Sequence, residues 1–165
     1  CLPYFIKEKN IKLFTEAHVL AETEIFSRYE IILESYCKVI GIEANTMLDM
    51  AKKDILPAVS AYSKELADTA IAKHSLIKDC ACSYEEEIVK EISELTSELY
   101  KAVKALEDAV DKATESDVLK LALYYKDVII PAMDAVRTPA DKLELITAKK
   151  YWPFPTYGDL LFGVR

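Results

Sequence analysis

Glu43-Ala44-Asn45-Thr46-Met47-Leu48-Asp49-Met50-Ala51-Lys52-Lys53-Asp54-Ile55-Leu56-Pro57-Ala58 decides the fold. Ala44, Met47, Ala51, Ile55 and Ala58 recur at steps of three or four, the mark of one apolar stripe on a helix, and the stripe passes Pro57 in phase. Traced backwards it continues through Ile40, Tyr36, Leu33, Tyr29 and Phe26; traced forwards it reaches Tyr62 and Leu66. The spacing predicts a single helix over roughly residues 23–73, bent at Gly41 and Pro57 rather than broken. At 1.5 Å per residue such a helix is on the order of 75 Å long.

Residues 74–82 break the period. Ser83 followed by Glu86 reads as a capping box, in which the hydroxyl satisfies an early N–H and the glutamate reaches back. A second helix follows to about Ala113, with Ile88, Ile92, Leu95, Leu99, Val103, Leu106 and Val110 as a narrow seam among Glu, Lys, Ser and Asp. Ser116 or Asp117 caps a third, whose stripe is Val118, Ala122, Tyr125, Ile129, Ala132, Val136, Ala140 and Leu143. It passes Pro131 and Pro139. Two readings of the second proline stay open: a kink, or a restart with Thr138 as N-cap and Pro139 as first helical residue. The second helix, the third, and the first beyond Gly41 are of similar length, which predicts an all-α antiparallel bundle of three long, kinked helices over residues 23–150. The first half of the first helix projects past that bundle and needs another partner.

Residues 1–22 carry apolar side chains without a clear period and are expected to be irregular. At the other end stands Tyr151-Trp152-Pro153-Phe154-Pro155-Thr156-Tyr157-Gly158-Asp159-Leu160-Leu161-Phe162. Two prolines one residue apart cannot continue a helix, so residues 151–165 are expected to run as an extended tail. Trp152, Phe154, Tyr157, Leu160, Leu161 and Phe162 are its candidate packing or interface residues, because so large an apolar load belongs on the chain's own helices or on a partner. Arg28 and Tyr29, beside each other at the stripe of the first helix, are candidates for a contact between domains.

Three glycines among 165 residues, and a composition rich in Ala, Leu, Ile, Glu and Lys, suit helices with few tight turns. With 28 acidic and 21 basic side chains the formal charge is -7, which opposes general affinity for phosphate backbones, so nucleic acid is not expected as a partner. No apolar run approaches the ~20 residues needed to span a bilayer, and no membrane partner is expected. The four cysteines show no framework spacing, and Cys80 and Cys82 would pair only with strain; a reduced, cytoplasmic setting is the simpler expectation. A chain starting at Cys points to a fragment or processed product. A lipidated N-terminal cysteine would need a flexible polar tether, which Leu2-Pro3-Tyr4-Phe5 does not resemble.

Chemistry is sparse. Glu85, Glu86 and Glu87 sit in a first helical turn, where they complement the helix dipole. Carboxylate di-metal bundles use Glu-x-x-His pairs, which neither His18 nor His74 supplies. His74, Cys80 and Cys82 are one ligand short of a zinc site. No Gly-rich phosphate loop and no recognisable nucleophile context occurs. No catalytic, cofactor-binding or metal residue is expected in this chain.

Four stretches carry a family resemblance. They are Glu24 with Ser27-Arg28-Tyr29-Glu30; Ile42 to Met47 through Asp49-Met50-Ala51 to Ile55-Leu56-Pro57-Ala58; Asp141-Lys142-Leu143-Glu144; and Trp152-Pro153-Phe154-Pro155-Thr156-Tyr157 with Leu160-Leu161-Phe162. In this order they resemble the C-terminal region of type III glutamine synthetase, the large bacterial form of that ligase. Thr138-Pro139 departs from it, standing where uninterrupted helix is expected. The resemblance implies a parent that joins ammonia to glutamate at the expense of ATP, through a γ-glutamyl phosphate, with divalent ions such as Mg held by glutamates, and that assembles as stacked hexameric rings. None of the family's catalytic motifs maps onto this chain. Residues 1–22 would then end an upstream catalytic domain of the same chain, and the helices would serve packing, assembly or regulation. A freestanding coiled-coil-type interaction module is the alternative.

Overall fold

The computed structural model describes residues 2–77, 79–155 and 157–163, and among them all regular structure is helical. Two short helices, α1 (Leu2–Phe5) and α2 (Glu8–Glu16), precede α3 (Glu22–Met50). A π-helical turn over Ala51–Ile55 joins α3 to α4 (Leu56–Leu76) without a break. Then come α5 (Ser83–Asp111), α6 (Val118–Tyr124), a second π turn (Tyr125–Ile129), α7 (Ile130–Ile146) and α8 (Tyr157–Phe162).

The first long helix runs from Glu22 to Leu76, close to the expected span, but its irregularity differs from the two predicted bends. Pro57 has no N–H to give, and its ring would press on the carbonyl of Lys53, four residues back. The π turn containing Lys53 relieves this: Leu56 N–H donates to the Ala51 carbonyl, five residues back, so the turn is wider there. The third helix repeats the device, with the N–H of Ile130, the residue before Pro131, donating to the Tyr125 carbonyl. At Gly41 the helix is uninterrupted. Its glycine instead provides room, because a Cβ there would lie 3.0 Å from Tyr125 Oη.

Pro139 lies inside α7 and is buried, so the restart at Thr138 is not what forms. The Thr138 hydroxyl donates to the Asp134 carbonyl, 3.0 Å away within the same helix, instead of capping a new one. Asp117 is the cap of α6, accepting from Leu119 N at 2.9 Å and Lys120 N at 3.1 Å. The capping box at Ser83 does not form: Cys82 holds the cap position without a side-chain bond. Glu85 is buried and pairs with Lys73 across the α4–α5 connection, which holds its carboxyl below the ordinary range. A capping glutamate appears elsewhere, where Glu24 accepts from Ala21 N–H at 2.8 Å and opens α3.

Residues 2–16, expected to be irregular, hold two short helices with no fully buried residue. Their apolar side chains are too few to show a period, yet Leu2, Phe5 and Ile6 pack on a small cluster of Tyr29, Leu33, Cys37 and Ala122. His18 takes a left-handed φ of 53° just past α2 and turns the chain towards α3. The first half of α3 therefore does not project bare: α1 and α6 both lie against it.

The larger core cluster runs through α3, α4, α5 and α7, with Val59, Ile92, Leu99, Val103, Leu106, Ile129 and Leu143 almost fully enclosed. The seam of α5 is the predicted one from Ile92 to Leu106; at its ends Ile88 and Val110 are only partly buried, and Ala109 is buried beside the latter. A 3.6-residue turn drifts from a 3.5-residue repeat over four heptads. On α3 the predicted stripe is displaced by one in three places: Ile25, Cys37 and Leu48 are buried, while Phe26 is exposed and Tyr36 and Met47 are only partly buried. Lys52 of the first π turn pairs with Glu107 of α5, which Lys104 also holds at 2.9 Å.

These two lysines, Lys52 foremost, pull the Glu107 carboxyl from an ordinary 4.5 to about 2. A lowered carboxyl stabilises the fold above its unfolded value and loses that contribution as pH falls through its folded value. Between pH 4.5 and 2 the unfolding temperature is expected to fall more steeply in the wild-type chain than in Glu107→Gln, and melts across that window check it.

Candidate functional site

After α7 the chain turns at residues 147–150 and meets α4. Lys150 Nζ binds both carboxylate oxygens of Glu65, at 2.7 and 2.8 Å, and the Tyr151 hydroxyl donates to the same carboxylate. The Tyr151 ring packs on Tyr62 with centroids 5.5 Å apart. Glu65 is thereby held below the ordinary carboxylate range, first by Lys150 and then by Tyr151. Tyr62 also meets the Tyr84 hydroxyl at 3.5 Å, and that contact, followed by burial, pushes its phenol up to about 12. Neither Glu65 nor Lys150 is visible as a site from sequence, since one is an exposed residue of α4 and the other an exposed residue of the turn after α7.

From Tyr151 the chain doubles back along the helices. Trp152 and Phe154, in edge-to-face contact at 6.1 Å and 78°, are half-buried against the large core cluster. The following residues are not extended: Tyr157–Phe162 form α8, because beyond Pro155 nothing forbids helix. Lys149 ties α8 back by binding Asp159 at 2.6 Å. Leu160, Leu161 and Phe162 are 69%, 69% and 84% exposed. The side chain of Tyr157 lies outside the described residues, as does Cys1.

At the far end of the molecule Tyr29 is buried in the smaller cluster, and its hydroxyl has no hydrogen-bond partner among the described residues. Arg28 is exposed beside it, with no ion pair among those residues. The structure thus divides the sequence-derived candidates into two groups: Trp152, Phe154 and Leu160 share one groove, while Arg28 and Tyr29 lie apart from it. Along the outer side of α3, Ile31, Ile32, Val39 and Ile42 are 46–67% exposed.

The groove beneath the tail encloses about 690 Å³ between residues 42–55, α7 and residues 152–160. Met47, Met50 and Met133, the three methionines of the chain, all line it. Sequence reading missed them because Met47 looks like one more stripe residue and the other two like surface. Among the described residues no group of three or more His, Cys, Asp or Glu is arranged to hold a metal ion. His74 instead lies 3.8 Å from Glu86. No helix among them is long and apolar enough to cross a membrane.

Comparison with known proteins gives this geometry a context. Residues 1–74 match the family described as glutamine synthetase C-terminal domain. A glutamine synthetase of Butyrivibrio fibrisolvens is 37% identical over 166 residues, an alignment covering 100% of this chain and 24% of the relative. A type-3 glutamine synthetase of Dictyostelium discoideum is 34% identical over 163 residues, covering 94% of the chain and 22% of the relative. For a glutamine synthetase of Bacteroides fragilis (strain YCH46) the figures are 27% over 149 residues, 87% and 20%. The chain spans about a quarter or less of the length of these relatives. It belongs to the glutamine synthetase family, as a C-terminal domain.

Proposed function

We propose that this domain performs no catalysis itself and serves packing and assembly in a parent glutamine synthetase, an ATP- and Mg-dependent cytoplasmic enzyme that joins ammonia to glutamate. The observation that carries the reading is the proportion of the match: nearly the whole chain aligns with less than a quarter of each longer synthetase. In this reading α1 and α2 end an upstream catalytic domain, residues 23–150 form an up-down-up bundle, and residues 151–165 are a tail that closes it. Cross-helix pairs support that layout. Lys52–Glu107 and Lys73–Glu85 are the pairings expected of an α5 antiparallel to the first helix, and Gly41–Tyr125 and Glu65–Lys150 those expected of a third helix parallel to it.

Arg28, Tyr29 and the exposed apolar side chains of α3 are the proposed contact with the remainder of the parent or with another subunit of a homo-oligomer. Ile31, Val39 and Ile42 lie on the side of α3 away from the buried stripe, and such a row seldom faces water in a finished assembly. Leu160, Leu161 and Phe162 are a second proposed contact. Purified 165-residue chain given glutamate, ammonia, ATP and Mg is expected to form no glutamine, while the full-length protein forms it. Turnover by the short chain would sink the noncatalytic role; an inactive full-length protein would sink the parent activity.

A further inference from the structure

The groove between α3, α7 and the tail has a composition that packing alone does not require. A helical core needs apolar volume; this groove collects the chain's three methionines with Trp152 and Phe154, and it stays open. Methionine is unbranched and polarizable, so a surface built from it adapts to differently shaped apolar side chains, as promiscuous peptide grooves do. The rim is acidic. Of its charged residues Arg137 is taken by Asp141 at 3.2 Å, which leaves Glu43 and Glu144 on opposite walls without an ion-pair partner among the described residues.

Shape selects between ligands. Residues 42 to 55 form one wall, which at 1.5 Å per residue is about 20 Å long, the length of three to four helical turns. An elongated apolar ligand can follow such a wall along its whole length. We propose that the groove docks a basic amphipathic helix of a partner protein, its apolar side chains resting on Met47, Met50 and Met133 and its Lys or Arg side chains on Glu43 and Glu144. Leu160 of α8 lines the groove, and Leu161 and Phe162 beside it in the same helix are exposed. A second copy of this chain is a poor occupant, because its two 29-residue helices, α3 and α5, are both acidic on balance and would face like charge. The inference does not depend on the activity of the parent.

The test uses the full-length protein and three labelled peptides of about 14 residues, enough for four turns. One contains Leu and Lys with leucines at i, i+3, i+4 and i+7; the second has the same composition scrambled; the third keeps the pattern with Glu for Lys. Fluorescence anisotropy is expected to show the first binding at least about tenfold more tightly than either other. Glu43→Gln with Glu144→Gln, the first exposed and the second half-buried, is expected to weaken the first peptide by about tenfold. Met50→Ser, at a partly exposed position, is expected to weaken it as well, with helicity by circular dichroism unchanged in both variants. Equal binding of patterned and scrambled peptides would reduce the groove to a general acidic surface. No peptide binding, accompanied by self-association that the double variant abolishes, would make a second copy the occupant and overturn the proposal.

Discussion

Full-length protein truncated after Lys150 is expected to unfold at a temperature lower by roughly 6–12 °C, with smaller assemblies on gel filtration. Burying a large apolar side chain contributes about 1.5–3 kcal/mol when burial is complete. Trp152 and Phe154 are half-buried, so together they account for roughly 3 kcal/mol. In a domain of this size each kcal/mol moves the midpoint by about 2–4 °C. Truncation also removes the Trp152 and Phe154 side of the groove lined by Met47, Met133 and Val136, and takes the Tyr151 ring from Tyr62. Pro153 and Pro155 amplify the effect in the intact chain, since a proline-restricted segment loses less entropy on docking. A truncated protein with unchanged melting and unchanged assembly size would show the tail to be an appendage. Trp152→Ala separates the two readouts. It removes packing while leaving Leu160, Leu161 and Phe162 available for a subunit contact, so it should lower the melting temperature and spare the assembly.

What could be read beforehand follows the physics of each element. The seam from Ile92 to Leu106 was legible because an apolar residue at every third or fourth position among charges has one helical reading. The start of α3 was ambiguous: Ile25 and Phe26 are adjacent apolar residues, and the choice between them depends on what α1 and α6 present. The π turns before Pro57 and Pro131 leave no mark in the pattern, since one widened turn shifts the phase less than real stripes scatter. Ser83 and Glu86 match a capping box in letters, yet the burial of Glu85 against Lys73 fixes the start of α5 instead. In the groove Trp152 and Phe154 stood out as residues that must dock. Glu65, Lys150 and the methionines did not, because their roles come from segments far apart in the chain, 85 residues in the case of Glu65 and Lys150.

The seam of α5 invites the sharpest test of the fold itself. Leu99 is 0% exposed and sits in the middle of α5, between the first helix and α7. Leu99→Ala leaves a cavity that neighbours on two helices cannot both close, and the expected loss is about 3 kcal/mol, within the range for buried leucines. That again corresponds to a midpoint lower by roughly 6–12 °C. The neighbouring Tyr100 is 54% exposed, so Tyr100→Ala should change stability by no more than about 0.5 kcal/mol. The contrast matters more than either value. Two adjacent positions on one helix differ by about 100° in direction, and only a helix clasped on both sides of a narrow seam makes one critical and the other dispensable. Comparable losses at both would mean that α5 is buried more broadly, by a surface outside this chain. Negligible losses at both would mean that the seam is not packed. Urea unfolding of the two variants beside the wild type decides among these outcomes, with unchanged m-values confirming that the denatured state is the same reference in each.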